Sequence, residues 1–483
     1  MSAPAPLLVV GDALLDHDLC GRADRLAPDA PVPVVSGARR ASRPGGAALT
    51  AVLAAADGRP VTLVTALGDD EASGTLVALL ADRVRLVRLP LTGTLSSKTR
   101  VLAEGTPLLR LDDGEGRALE ATEEARRAVE GAGAVLVADY GRGAAGVLRE
   151  ALAAVAARVP VVWDPHPRGE RPVPGVRLVT PSASEARAFA GGEPPAGASA
   201  LRTAARDAET LVRTWRAASV AVTLGGRGAL VSHGGTPLLV PSPVTAEGDA
   251  CGAGDRFAAT AAGCLADGGL TETAVREAVH AATRYVAEGG VRSLATAPDP
   301  SPPTPVPADG GPTRDADGGP TRDALRTAAR VRAAGGTVVA AGGCFDLLHA
   351  GHVALLQAAR RTGDCLVVCV NSDASVRRRK GGGRPLVPVA DRIRVLRALE
   401  CVDAVAVFDE DTPERLLAEL RPHIWAKGGD YALERLPEAP LVESWGGQVV
   451  LLPYLDGRST TGIAARAARS PRPSGPAPER ERG

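Results

Sequence analysis

Short, unbroken apolar runs that each stop at a small or polar residue constrain this chain more than any other feature. "LLVVGD", "VTLVTALG", "AVLVADY", "VPVVWDP", "VRLVTPS" and "SVAVTLG" recur through its N-terminal part. Continuous rather than alternating hydrophobicity suits strands covered on both faces. The Ala/Leu/Arg-rich stretches between the runs read as the covering helices. Open α/β sheets of this kind gather ligands where the strands end, so the polar residues closing each run are the first candidates for a site. "SSKTRVLAEGTPLLRLDD" interrupts the alternation and reads as a hairpin. Further on, "TVVAAGGCFD", "CLVVCVNSD", "DAVAVF", "HIWAKGGD" and "QVVLLPY" repeat the scheme on a smaller scale.

Between the two series lies "PDPSPPTPVPADGGPTRDADGGPTRDA", in which the octet DGGPTRDA occurs in tandem at 309–316 and 317–324. Two Pro/Gly-rich octets cannot build a core, so the stretch reads as a linker. With 483 residues and 45% hydrophobic content, the chain has material for more than one packed domain. The expected division is a domain over 1–297, a flexible linker over 298–324, a second domain over 325–468 and a disordered tail over 469–483.

Fifty-six basic and 56 acidic residues give a formal net charge of zero, which argues against a nucleic-acid-binding surface. No apolar run reaches the roughly 18 residues of a membrane span. The start, "MSAPAPLLVVGD", lacks the basic region of a signal peptide. Seven cysteines without a CxxC pair suggest free thiols. A cytoplasmic protein is expected. Only three of the basic residues are lysine, Lys98, Lys380 and Lys427, and Asn371 is the single asparagine. In a chain so biased toward Arg, a retained Lys suggests a task that Arg cannot do.

"EGDACGAGDRFAATAAGCLADGG" is the most informative N-terminal segment. Gly252, Ala253 and Gly254 open a helix whose free N–H groups and dipole can hold an anion. Asp255 could take a proton from a sugar hydroxyl while those amides stabilise a transferring phosphoryl group. The same residues would also serve as a plain Asp/Gly helix cap, and physics alone leaves the two readings level. This segment resembles the second signature of the ribokinase-like sugar kinases, and "RPGGAALTAVLAAADG" resembles the first. "GDALLDHDLCG", "ALGDDEASG", "TPSASE" and "VTLGGRG" follow the family's order. The resemblance implies a ribokinase-like domain with a small β lid and an anion hole at 252–254, with Asp255 as base. It implies a sugar pocket lined by Asp12, Asp16, Gly45 and Gly46. Ser182, Ala183, Ser184 and Glu185, with Thr223, Gly225 and Gly228, would lie near ATP or its Mg²⁺. Three positions depart from the pattern. Leu49 stands where Asn is usual, His166 where Lys is common, and Ser182 where Asn is usual.

In "GGCFDLLHAGHVALLQAAR", His349 and His352 flank Ala350-Gly351 at a strand-to-helix turn. A zinc site would want a third ligand and favours i,i+4 spacing on a helix. Core histidines are a second alternative. A third is a phosphate clamp, with two imidazoles donating to phosphorus oxygens beside a helix N-terminus. The stretch resembles the HxGH signature of the cytidylyltransferase-like nucleotidyltransferases. "VNSDASVRRRKGGGRPLVPVADRIRVLRALECVD", "FDEDTPERLL", "AKGGDY" and "DGRSTTGI" continue that pattern. The resemblance implies a Rossmann-like domain in which both histidines stabilise charge at the α-phosphate of ATP. Phosphate or nucleotide contacts would come from Phe345, Asp346, Asn371, Asp373, Lys380, Arg384, Lys427, Gly428, Asp430, Ser459, Thr460 and Thr461. No protein-only metal site is expected.

The two halves together resemble bacterial bifunctional heptose 7-phosphate kinase/heptose 1-phosphate adenylyltransferase, through "RLAPDAPVPVV", "SRPGGAA", "SKTRVL", "LLRLDD" and "ADYGRGA" as well. This implies ATP-dependent phosphorylation of D-glycero-β-D-manno-heptose 7-phosphate at C1, then adenylyl transfer to heptose 1-phosphate, giving ADP-heptose and pyrophosphate. Lys98 and Arg100 are the candidates for holding the sugar's existing phosphate, though exposed charges would look the same. ATP and Mg²⁺, a separate phosphatase and a homodimer through the kinase half are the expected cofactors and partners. Another sugar phosphate, or CTP, is the alternative that Leu49 raises.

Overall fold

The computed structural model describes residues 3–104, 106–193, 198–246, 248–291, 319–428 and 436–453. It divides into two units, and the unbroken apolar runs form the strands of both.

In the first unit the strands in chain order are β1 (Leu7–Gly11), β2 (Ala13–Leu26), β3 (Pro33–Gly46), β4 (Val61–Leu67), β5 (Arg85–Thr92), β6 (Ser97–Ala103) and β7 (Thr106–Asp113). Then come β8 (Arg117–Ala118), β9 (Val135–Ala138), β10 (Val161–Asp164), β11 (Leu178–Val179), β12 (Val220–Thr223), β13 (Ala229–Ser232) and β14 (Leu238–Val240). The main sheet has the order β14-β13-β12-β11-β10-β9-β1-β4-β5-β8. From β12 to β5 all neighbours are parallel. Its central strands are buried end to end, as their lack of polar alternation requires.

β2 leaves this sheet directly after β1 and joins a second, four-stranded sheet of order β3-β2-β6-β7. This is the expected lid, and the hairpin read from the sequence is its β6–β7 half. The β2–β3 half was not foreseen. Both strands are mostly exposed beyond their first few or last few residues, so no continuous apolar run marks them.

In the second unit the strands are β15 (Val338–Gly343), β16 (Cys365–Asn371), β17 (Ala404–Phe408), β18 (Ile424–Gly428) and β19 (Gln448–Leu452). They form an all-parallel array of order β17-β16-β15-β18-β19. The chain order reverses between β15 and β18, where a Rossmann-like sheet opens a crevice for ligand.

The expected linker is shorter at its end than the sequence suggests. A helix runs over Gly319–Ala333, so the last six residues of the second octet are folded. Thr321 Oγ1 donates to the Val407 carbonyl and accepts from the Val407 N–H, and Asp323 pairs with Arg397 at 3.3 Å. Residues 298–318, the 469–483 tail, and Asp430, Ser459, Thr460 and Thr461 lie outside the described residues. Among those described, no helix is long and apolar enough to cross a membrane.

Candidate active sites

Asp255 sits in the first turn of the helix Ala253–Ala266, capped by Gly252 at φ 80°. An added Cβ at Gly252 would lie 2.6 Å from the Tyr285 hydroxyl and 2.9 Å from Leu49 Cδ2, so conformation and space both demand glycine. The Ala253 N–H is taken by the Ala250 carbonyl. Among the described residues the Gly252 and Gly254 amides have no partner, which leaves them to meet an anion. Leu49 is buried against this turn and belongs to the core.

The Asp255 carboxylate is buried, and its Oδ1 accepts from Thr50 Oγ1 at 2.6 Å and from the Tyr140 hydroxyl at 2.8 Å. Burial pushes its pKa up to about 6, against the pull of those two hydrogen bonds. That suits a base operating near neutrality.

Asp12, at the junction of main sheet and lid, was expected to meet the sugar. Its carboxylate accepts three backbone N–H groups. Oδ2 accepts from the N–H groups of Tyr140 and Arg142, and Oδ1 accepts from that of Ala144, at 2.8–3.0 Å. Asp12 thus shapes the loop after β9. Asp16 faces Arg43 on one neighbouring strand and Lys98 on the other, with Arg43 at 3.8 Å. Gly45 makes room for it, since an added Cβ there would lie 2.9 Å from the Asp16 carboxyl carbon. Gly46, at φ 55°, lets the chain turn from lid to helix.

Lys98 and Arg100 flank Thr99 on β6, and both charges pull the Asp16 pKa down against the effect of burial, but they reach different neighbours. Arg100 donates to Cys251 Sγ at 2.6 Å, beside the anion-hole turn. Lys98 lines a cavity of about 220 Å³ with Tyr140, Arg142, Arg168, Asp112 and Asp113. Arg142 and Arg168 thus join Lys98 around this cavity, while Arg100 sits beside Cys251. Reading the sequence missed both arginines, and Tyr140 and Thr50 as well.

On the other side, Ser182 bridges to Thr223 at the ends of β11 and β12. Ser182 and Glu185 form a capping box on the helix Ala183–Ala190, so Ser182 serves as the N-cap where Asn is usual in the family. Ser184 Oγ lies 3.0 Å from Ser182 Oγ. Gly225 and Gly228 both have positive φ, and a Cβ on Gly228 would strike the Val240 carbonyl at 2.1 Å. Two carboxyls at strand ends were also missed. Asp164 accepts from Thr180 Oγ1 at 2.7 Å, and burial with nearby Asp255 pushes its pKa well above the usual range. Asp139 is pushed up to about 6 by burial. Both close apolar runs, which was the available signal.

In the second unit, His349 caps the helix Ala350–Arg360 and its ring centroid lies 3.9 Å from that of His352. Burial, the neighbouring His349 and Lys380 push the His352 pKa down to about 4, so this ring is neutral at neutral pH. Phe345, at φ 47°, stacks obliquely 5.3 Å from His352.

Several expected nucleotide ligands are tied to one another or to neighbouring residues. Arg384 donates to Asp346 Oδ2 at 2.6 Å, while Asp346 Oδ1 accepts from the Leu386 and Val387 N–H groups. Asp373 accepts from Arg392 at 2.6 Å, and Asn371 donates its amide N–H to Ser375 Oγ. Arg392, which reading the sequence missed, is 2% exposed. It also donates to the carbonyls of Cys344, Asn371 and Val387, tying the histidine turn to the end of β16. Asp346, Arg384, Asp373 and Asn371 thus hold the loops around the histidine turn in place. Lys380 ends the helix Asp373–Lys380 and its charge reaches His352. Lys427, with Gly428 at the end of β18, lines a cavity of about 240 Å³ with Gly342, Trp425, Arg379 and Glu438.

Two family models match the chain. The pfkB family carbohydrate kinase covers residues 5–298, and the cytidylyltransferase-like family covers 340–447. A bifunctional protein HldE of Streptomyces coelicolor is 64% identical over 97% of this chain and 97% of its own. The HldE of Pelobacter propionicus is 36% identical over 96% of each. Among solved structures, an Arabidopsis thaliana ribokinase complexed with ribose and ATP is similar over 60% of this chain and 96% of its own, with 23% identity and a TM-score of 0.47. A carbohydrate-kinase half and a cytidylyltransferase-like half in one continuous match place this chain in the family of bifunctional HldE proteins.

Proposed function

We propose that the first unit phosphorylates D-glycero-β-D-manno-heptose 7-phosphate at C1 with ATP, and that the second joins AMP to heptose 1-phosphate. The observation that carries the first step is Asp255, buried beside free helix amides with its pKa raised to about 6. Asp255 takes the proton of the C1 hydroxyl, that oxygen attacks the γ-phosphorus of ATP, and ADP leaves. The Gly252 and Gly254 amides stabilise the transferring group. Lys98, Arg142 and Arg168 neutralise the 7-phosphate.

In the second step an oxygen of the sugar 1-phosphate attacks the α-phosphorus of ATP and pyrophosphate leaves. His352, being neutral, donates its N–H rather than a full proton, and His349 acts beside it. Lys380 and Lys427 neutralise the phosphates. The 7-phosphate is removed between the steps by a separate phosphatase.

Mg²⁺ bound with ATP would supply charge neutralisation at its phosphates. Asp164 and Glu185 are the hard oxygen donors on that side of the kinase half and would face it, directly or through water. A cation there would favour the charged form of Asp164, which burial otherwise disfavours. The protein works in the cytoplasm as a homodimer through the kinase half. Supporting the dimer, all of β7 is exposed at the lid's edge, with Leu108, Leu109 and Leu111 bare.

Mass spectrometry of products from heptose 7-phosphate and ATP tests the reading. The 1,7-bisphosphate should form alone, and ADP-heptose only when a phosphatase is added. Absence of the bisphosphate overturns it.

A further inference from the structure

We infer that Tyr140, together with Thr50, is a positioning residue that aims the kinase base at the sugar hydroxyl. The inference rests on Asp255 being that base.

Both hydroxyls donate to the same carboxylate oxygen, Oδ1, from two different elements. Thr50 comes from the helix Ala47–Ala56, and Tyr140 from the loop after β9. Oδ1 has two lone pairs and both are used. Oδ2 accepts no hydrogen bond among the described residues, so it is the oxygen left for substrate. Rotating the carboxylate to exchange the two oxygens would break two hydrogen bonds at once. The Tyr140 phenol is suited to this task. Burial and the nearby Asp255 and Asp164 carboxylates raise its pKa well above the ordinary value, so it stays protonated and stays a donor.

Tyr140 also ties the base to the rest of the pocket. Its backbone N–H donates to Asp12 Oδ2, the Lys98 ammonium lies 5.8 Å from its ring centroid, and its ring lines the cavity that Lys98, Arg142 and Arg168 share. One residue thus forms part of the sugar-phosphate wall with its ring and fixes the base with its hydroxyl. The other groups acting on Asp255 and its surroundings are Asp16 from β2, Lys98 from β6, Asp164 from β10 and Tyr285 from the helix Thr271–Ala287. Tyr140→Phe changes none of them and keeps the ring.

Losing a hydroxyl that donates to the ionised carboxylate raises its pKa. The acid limb of kcat/KM for sugar phosphorylation should therefore move to higher pH in Tyr140→Phe, by about one unit. At neutral pH kcat should fall roughly 10- to 100-fold, as for a misaligned reacting group. KM for the sugar phosphate should hold, because the ring remains. Thr50→Val should move the acid limb in the same direction, which keeps the test decisive if one variant folds poorly. Thermal unfolding reports that case. Asp255→Asn is the control. If Asp255→Asn is inactive while both hydroxyl variants keep the wild-type pH profile, the positioning role is overturned and the base stands. If Asp255→Asn phosphorylates at the wild-type rate, the base assignment itself fails.

Discussion

Lys427 donates to Glu438 Oε1 at 2.5 Å on the wall of the second unit's cavity, and Glu438 Oε2 is buried there without a hydrogen-bond partner among the described residues. A lysine expected to meet phosphate is thus held by a carboxylate that is 5% exposed. Removing one member of a buried pair leaves the other uncompensated. Glu438→Ala should lower the stability of the second unit by about 2 kcal/mol, the modest end for such pairs because the Lys427 side chain is 30% exposed. Denaturant unfolding measures this. Adenylyl transfer should fall with it, while sugar phosphorylation stays at the wild-type rate.

Arg392 presents a harder case for substitution. Its guanidinium serves four acceptors while 2% exposed. Lysine cannot reproduce that planar fork. Arg392→Lys should cost about 3 kcal/mol or more and lose most adenylyl transfer. An unfolding midpoint equal to wild type would show that the bonds contribute little.

The two reactions should part company on acidification. Asp255 works as a base only when ionised, and burial sets its pKa at about 6. Below that pH, kcat/KM for phosphorylation should drop about tenfold per unit. His352 has its pKa pushed down to about 4, so it keeps its neutral form through the same range. Initial rates of both reactions between pH 5 and 8 check this. Parallel acid limbs would contradict it.

Gly252 and Gly254 should respond differently to alanine. Gly252 has φ 80° and no room for a Cβ, whereas a Cβ at Gly254 meets nothing within 4 Å. Gly252→Ala should lose at least about 1 kcal/mol of stability from backbone strain alone, and most kinase activity. Gly254→Ala should fold as wild type. Thermal unfolding and phosphorylation rates of the pair separate the cases.

Much of this was legible in the sequence for a physical reason. Strands buried on both faces must be continuously apolar, so β1, β9, β10 and β15 to β19 announce themselves. The lid strands β2 and β3 do not, because a ribbon largely open to water has no such requirement. Asp255, His349 and His352 were named as candidates because Gly-rich turns before helices can meet phosphates, and the family resemblance decided between the readings the residues left open. The partners of Asp346 and Arg384 were not, since nothing in the residue types says that 38 positions of separation close into one ion pair. Arg392 looks like any surface arginine until its burial is seen. Asp139, Tyr140 and Asp164 stood at the ends of apolar runs and could have been named.

The anchoring of the helix Gly319–Ala333 bears on the tandem octets beside it. Thr321 and Asp323 make the contacts that fix the first turn, and the preceding copy carries the same residues as Thr313 and Asp315. Losing one whole octet would bring an identical Thr and Asp into register with Val407 and Arg397. Gaining one would do the same. A change of whole octets would therefore leave the two side chains on which the helix Gly319–Ala333 is anchored unchanged.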